Sequence, residues 1–221
     1  MHTEILDVER SRLLAALAAL PELDRFYLAG GTALSLHLGL RRSYDFDFFT
    51  GEGFNSDVLF AVLQQKHPRT TPLRVEDDTC SLLIDGIQVS FFRYPYPLIS
   101  EASLAGEPFP GLKLAGIDDI SAMKFSAIGS RGSKKDFYDL YQIYHLVPGF
   151  DSARLLNDSH RKFGGDRDLA YMIMGLSYFD DAEDEVLPKV FIPADWNAVK
   201  AFFQKEQLRM FEMEMRRCRD A

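Results

Sequence analysis

Asp45 and Asp47 stand two apart in Tyr44-Asp45-Phe46-Asp47-Phe48-Phe49, a stretch whose period-two alternation predicts a strand. Residues i and i+2 of a strand face the same way, so both carboxylates point to one face. Like charges held together repel, and such a pair is rarely placed for stability. A divalent cation resolves the repulsion. Hard oxygen ligands suit Mg2+ or Mn2+, ions that commonly bridge substrate phosphates. The plain alternative is an edge strand with a wet acidic face, and glycosyltransferases use a similar pair. Ahead of the aspartates, Gly30-Gly31-Thr32 separates a short apolar strand, Phe26–Ala29, from a short helix, Ala33–Leu38. Glycines there let the backbone approach a bulky anion. The N–H groups opening the helix lack intrahelical partners and can hold phosphate oxygens. Thr32 can cap that helix or add a hydroxyl donor. Arg41 and Arg42, just before the acidic strand, read equally as a phosphate-holding pair and as an exposed basic turn.

A second group lies in DDISAMKFSAIGSRGSKKDFYDLYQIY. Ile120, Lys124 and Ala127 share one helix face, and a lysine on an apolar face is less common than a solvated one. Arg131 follows near the helix end. Ser133-x-x-Asp136 has the spacing of a capping box, which gives Asp136 a structural reading of its own. Asp139 can pair with Lys135 or belong to a site.

The stretch LAGGTALSLHLGLRRSYDFDFF, Leu28 to Phe49, resembles the AbiEii/AbiGii toxin-type nucleotidyltransferases, in the polymerase-beta-like superfamily. The K…A…R…KD…DLY block after the β half is similar to that family's helical block. The resemblance implies transfer of an NMP from an NTP to an acceptor hydroxyl with release of pyrophosphate. It implies Mg2+ (or Mn2+) at Asp45 and Asp47, and nucleotide binding by Gly30, Gly31, Thr32, Arg41, Arg42 and Arg131. Lys124 and Asp136 would be catalytic: Lys124 on phosphate charge, Asp136 orienting or deprotonating the acceptor. It further implies a toxin with a cognate antitoxin, with a tRNA 3′ end or another RNA as acceptor. Many superfamily members carry a third carboxylate on the next strand, where this chain has Ser90. Ser90 keeps open a noncatalytic nucleotide- or protein-binding module; a small-molecule nucleotidyltransferase is the other alternative.

The elements that must position these residues follow from local patterning. An N-terminal helix spans the apolar residues Ile5 to Leu20 and stops at Pro21. A helix is expected at 56–65. Ser81–Ile84 and Ile87–Phe92 flank Asp85-Gly86, the signature of a tight hairpin. From Ile117 the period turns helical, with helices expected at 118–129, 134–146, 151–162, 166–178 and 195–217. Asp118 or Asp119 would cap the first of these. The acidic run Asp180–Glu185 reads as a solvated loop. The fold class is therefore α+β: a nucleotidyltransferase-like mixed β-sheet core with an N-terminal helix, and a helical C-terminal region. The boundary is placed in the Gly- and Pro-containing stretch 105–116, giving a core of 1–104 and a helical region of 105–221.

Composition narrows the function classes. With 221 residues, 47% hydrophobic and 26% charged, the chain can bury a sizeable core without metal or disulfide support. Net charge −8 argues against coating duplex DNA, though Arg41, Arg42, Lys134 and Lys135 could form a local patch for RNA. Two cysteines, Cys80 and Cys218, cannot build a zinc site or a disulfide framework, so a reducing cytoplasm is expected. No segment approaches a membrane span.

Overall fold

The computed structural model describes residues 1–220. Two compact units divide at Gly116/Ile117.

The first unit holds helices α1 (Val8–Ala18), α2 (Gly30–Leu38) and α3 (Ser56–Lys66) and one seven-stranded sheet. Its strands are β1 (Tyr27–Ala29), β2 (Phe46–Thr50), β3 (Thr70–Glu76), β4 (Thr79–Ile84), β5 (Ile87–Arg93), β6 (Ser103–Leu104) and β7 (Lys113–Leu114), in the order β3-β4-β5-β2-β1-β7-β6. The sheet is mixed. β1 runs antiparallel to β2 and parallel to β7, and β2 runs parallel to β5. β3, β4 and β5 form an antiparallel meander. The Asp85-Gly86 turn takes the two positive φ angles, 50° and 83°, that a tight hairpin demands. Pro72 is tolerated because β3 is an edge strand. In β2 the alternation holds: Phe46, Phe48 and Thr50 are buried, Asp47 and Phe49 only half so. Phe48 stacks on Phe91 at 5.2 Å, and Phe26 packs edge-on against Phe91 and Phe54, forming the core on that face.

Residues 105–116 belong to this unit, unlike the expected division at 104/105. Lys113–Leu114 pair with β1 and β6, and Ala115 N donates to the Leu28 carbonyl at 2.9 Å. Two-residue strands carry no local pattern, so only pairing reveals them.

The second unit contains α4 (Ile117–Ser130), α5 (Lys134–Leu146), α6 (Ser152–Phe163), α7 (Leu169–Gly175) and α8 (Trp196–Asp220). α7 is shorter than the expected 166–178. α4 and α7 approach closely enough that a Cβ on Gly175 would fall 2.7 Å from the Gly129 Cα. Lys162 of α6 and Asp119 of α4 make a 2.7 Å ion pair with no exposed side-chain surface on either partner. Asp119 is thus a buried partner, not a helix cap. Asp118 pairs with Arg154 at 2.7 Å. Phe137 packs against Phe179, Trp196 and Phe203. Among the described residues no helix is long and apolar enough to cross a membrane.

Candidate functional site

α2 opens directly on the glycines, three residues earlier than expected. Its N-cap is Ala29, which makes no side-chain cap, and Gly30 and Gly31 form the first turn. Gly30 has φ +67°, a value that a residue with a Cβ rarely adopts, and a Cβ there would lie 3.2 Å from Asp47 Oδ2. A Cβ on Gly31 would fall 2.3 Å from Arg41 Nη2. Consecutive glycines thus receive the Asp47 carboxylate and the Arg41 guanidinium. A side chain at either would displace the group it faces.

Thr32 sits in the middle of the first turn and is 2% exposed. It neither caps α2 nor faces solvent. Its Oγ1 lies 2.5 Å from the Asp45 carbonyl oxygen and 2.6 Å from Ser43 Oγ. One hydroxyl proton serves one acceptor. Donating to the Asp45 carbonyl leaves the Ser43 hydroxyl free to donate to Thr32. Ser43 Oγ also stands 3.5 Å from Asp45 Oδ1. Thr32 and Ser43 therefore fix the backbone that presents Asp45. Ser43 has no local sequence signal, since its partner lies eleven residues away.

Asp47 is in β2, whereas Asp45 and Tyr44 precede it. Tyr44 is exposed and lies under the Arg10 guanidinium. Both aspartates are half-buried. Asp47 sits in register with Ala29 on one side and Ser90 on the other. Ser90 is buried and accepts from Ser81 Oγ at 3.1 Å. Among the described residues, no group of three or more His, Cys, Asp or Glu is placed to hold a metal. The Asp47 carboxylate beside a backbone stripped of Cβ atoms, with half-buried Asp45 two residues before it, is a hard-oxygen donor set that fits Mg2+, which binds through one or two carboxylates and completes its shell with water and substrate phosphates.

Arg41 is 3% exposed, with Nη1 donating to the Arg42 carbonyl at 3.2 Å. It is a buried cation beside the α2 N-terminus and not an exposed basic turn. Arg42 is half-buried. His37 Nε2 lies 2.9 Å from the Ala115 carbonyl, an ordinary structural contact.

In the second unit, Lys124 is 6% exposed, and Asp136 and Asp139 are inaccessible. Lys124 Nζ reaches Asp136 Oδ1 at 2.7 Å and Asp139 Oδ2 at 2.8 Å. Asp136 Oδ2 accepts from Ser133 Oγ at 2.7 Å and from Arg131 Nε at 3.2 Å. The capping box does not form. Ser133 gives its proton to the Asp136 carboxylate, and the Glu185 carboxylate takes the Lys134 N–H at 2.8 Å. Burial pushes the Asp136 carboxyl up. Lys124 and Arg131, with hydrogen bonds from Lys124 and Ser133, outweigh burial and hold it well below the usual carboxylate range. A carboxylate so held, with both oxygens engaged, is a poor proton acceptor. Inaccessible and engaged at both oxygens, Asp136 positions Lys124 and Arg131.

The acidic side chains of Asp180–Glu185 are exposed, as expected of a solvated loop, and only Ala182 is buried. The run opens with a 3-10 turn, Asp180–Ala182. The Glu183 carbonyl accepts from Lys134 Nζ at 2.7 Å, and the Glu183 carboxylate receives Lys200 and Trp196 Nε1. Lys134, expected in a basic patch, is therefore held against the Glu183 carbonyl and over the Trp196 ring.

Residues 12–97 match the family model "Nucleotidyl transferase AbiEii toxin, Type IV TA system". The chain is 38% identical over 202 residues to an uncharacterized protein of Aquifex aeolicus (strain VF5), aq_aa25, spanning 90% of this chain and 94% of that one. Its fold is similar to that of MenT4, a nucleotidyltransferase toxin of Mycobacterium tuberculosis H37Rv, with TM-score 0.62 and 17% identity over 90% of this chain and 80% of that one. The two glycines with their paired charged groups and the aspartate pair lie inside the matched segment: residues 12–97 carry the AbiEii nucleotidyltransferase toxin domain, and the chain as a whole belongs to one family with the Aquifex protein.

Proposed function

We propose that this nucleotidyltransferase moves an NMP from an NTP to a hydroxyl of an RNA acceptor, with a tRNA 3′ end as the leading candidate, and that it acts as the toxin of a toxin–antitoxin pair. The observation that carries the reading is the seating of the Asp47 carboxylate against Gly30 at the opening of α2. There, half-exposed carboxylates and partnerless helix N–H groups meet on bare backbone, an arrangement suited to a phosphate chain.

In the reaction the acceptor oxygen attacks the α-phosphorus, a new O–P bond forms, and the α–β anhydride bond breaks. Pyrophosphate leaves and the acceptor proton passes to solvent. Gly30 and Gly31 hold terminal phosphate oxygens through their N–H groups, and Arg41 and Arg42 offset their charge. Thr32 and Ser43 keep Asp45 in place. Mg2+ held by Asp45 and Asp47 would supply charge stabilisation at the transferred phosphoryl group. In the second unit, Lys124 and Asp136 are assigned to the same chemistry on the family's helical block, with Asp136 positioning Lys124 and Arg131. Ser90, in register with Asp47 where a third acid is common, supports the second reading, a binding module that turns nothing over.

The test is pyrophosphate release from each of the four NTPs with Mg2+, with and without total tRNA. Asp45→Asn and Asp47→Asn should each abolish release while leaving the circular dichroism and melting curve close to wild type. Wild-type rates in both variants would overturn the assignment of the pair. Periodate oxidation of the tRNA 3′ diol should abolish transfer of label. Unchanged labelling would exclude the 3′ end. NTP binding without release under every condition would favour the binding module.

A further inference from the structure

A cavity of about 500 Å³ opens in the second unit, between the C-terminal end of α4 and the α7 end with the residues that follow it. Its floor is the close approach of Gly129 and Gly175, where neither backbone leaves room for a side chain. Three large side chains around it stay exposed: Tyr171 at 62%, Met174 at 58% and Tyr178 at 51%. Solvated singly such residues need no explanation, but three around one concavity do. Ser177 and Asp181 bring polar groups to the same wall.

Arg131 makes the cavity more than an apolar hollow. Its Nε is tied to Asp136 Oδ2 at 3.2 Å, while its side chain remains 64% exposed. Among the described residues its terminal Nη groups meet no protein acceptor. One end of the guanidinium is fixed and the other is left to an anion at the cavity wall. Aromatic faces, the Asp181 carboxylate as an acceptor on the rim, and one half-used guanidinium together match a single-stranded nucleotide: base against ring, base edge to Asp181, phosphate to Arg131. The volume suits a nucleotide better than a protein helix.

We propose that this cavity is a subsite for an unpaired nucleotide of the RNA acceptor. The proposal rests on the transfer reading above, since Arg131 links the cavity to Asp136.

The probe is a 5′-fluorescein-labelled single-stranded RNA hexamer, followed by anisotropy with the full chain. Tyr171→Ala and Tyr178→Ala should each raise its Kd by about tenfold, the scale of one base stacked on one ring. Tyr171→Phe and Tyr178→Phe, which keep the ring, should bind as wild type. Arg131→Ala should weaken binding and flatten the slope of log K against log salt by roughly 0.7, the loss of one single-strand phosphate contact. A wild type that does not bind the hexamer, or alanine variants that bind it unchanged, would overturn the subsite. So would NTP affinity falling in the alanine variants while hexamer affinity held, which would give the cavity to the donor nucleotide. Pyrophosphate release by the wild type, measured in parallel, separates the two readings: release with unaltered hexamer binding sinks the subsite alone, and no release with any NTP sinks the transfer reading.

Discussion

Asp136 shows how a charged residue is made to stay charged. Burial alone would neutralise it; Lys124, Arg131 and Ser133 reverse the balance. Because its folded pKa lies below its unfolded value, the ionised form stabilises the fold at all pH above about 4. That contribution drains away as pH falls from there through the folded pKa. Asp136→Asn removes the carboxylate but leaves Lys124 its contact with Asp139 at 2.8 Å. The expected loss at pH 7 is therefore near the lower end of the cost of breaking a buried pair, about 3 kcal/mol. The gap between wild type and variant should narrow in urea melts at pH 3. A gap of constant size from pH 7 to pH 3 would show that Asp136 stabilises by shape rather than by charge. Gly31 poses a complementary question. Gly31→Ala would drive a methyl into Arg41 Nη2, so NTP binding should fall sharply while the melting temperature moves little, because a side-chain end can shift where backbone cannot. Wild-type affinity for NTP in that variant would remove Arg41 from the phosphate site.

At the scale of elements, α4 and α7 are held together by the absence of side chains. Gly175→Ala places a methyl 2.7 Å from Gly129 Cα and 3.1 Å from the Ile128 carbonyl, both backbone atoms. The helices must part, at a cost of about 1–3 kcal/mol, and each kcal/mol lowers Tm by roughly 2–4 °C. Gly165→Ala, with nothing within 4 Å, is the matching control and should melt as wild type. Elements with a local signature were readable in the chain: the Asp85-Gly86 hairpin, the alternation in β2, the helix over 134–146. So were the glycine turn and the aspartate pair, whose residue types and order carry their own chemistry. What escaped was made by pairing across distance. β7 is two residues long and exists only because β1 accepts it. Arg41 looked like half of a basic turn, and its burial follows from the bare face of Gly31. The Ser133–Asp136 capping spacing was real, but Lys124 of α4 and Arg131 of the turn after it compete for that carboxylate, and Glu185 caps α5 from 51 residues away. Gly129 and Gly175, one inside a helix and one at a helix end, were the available signal for close helix contact, and hence for the cavity beside it.

At the scale of the whole chain, the net charge of −8 must be reconciled with an RNA acceptor. Many of the cations are already spent. Lys124 and Lys162 are neutralised by buried carboxylates, Lys134 Nζ is tied to the Glu183 carbonyl, and Arg154 is held by Asp118. Arg41, buried on Gly31, is given to the donor NTP rather than to RNA. Of the cations assigned to the site or to its basic patch, Arg42, Arg131 and Lys135 are the ones left for RNA phosphates. Counterion release, the usual source of affinity for nucleic acid, can then supply only a small part of the binding. Stacking and hydrogen bonding must supply the rest, which favours unpaired ends over duplex. The expected signature is a shallow salt dependence. With two or three phosphates neutralised, log K for tRNA should fall against log salt with a slope of roughly −1.4 to −2.1. Titrations from 50 to 300 mM KCl would read it directly. A slope of about −5 or steeper would mean that a basic surface of several more residues engages the RNA, and the choice of an unpaired end over duplex would lose its physical basis.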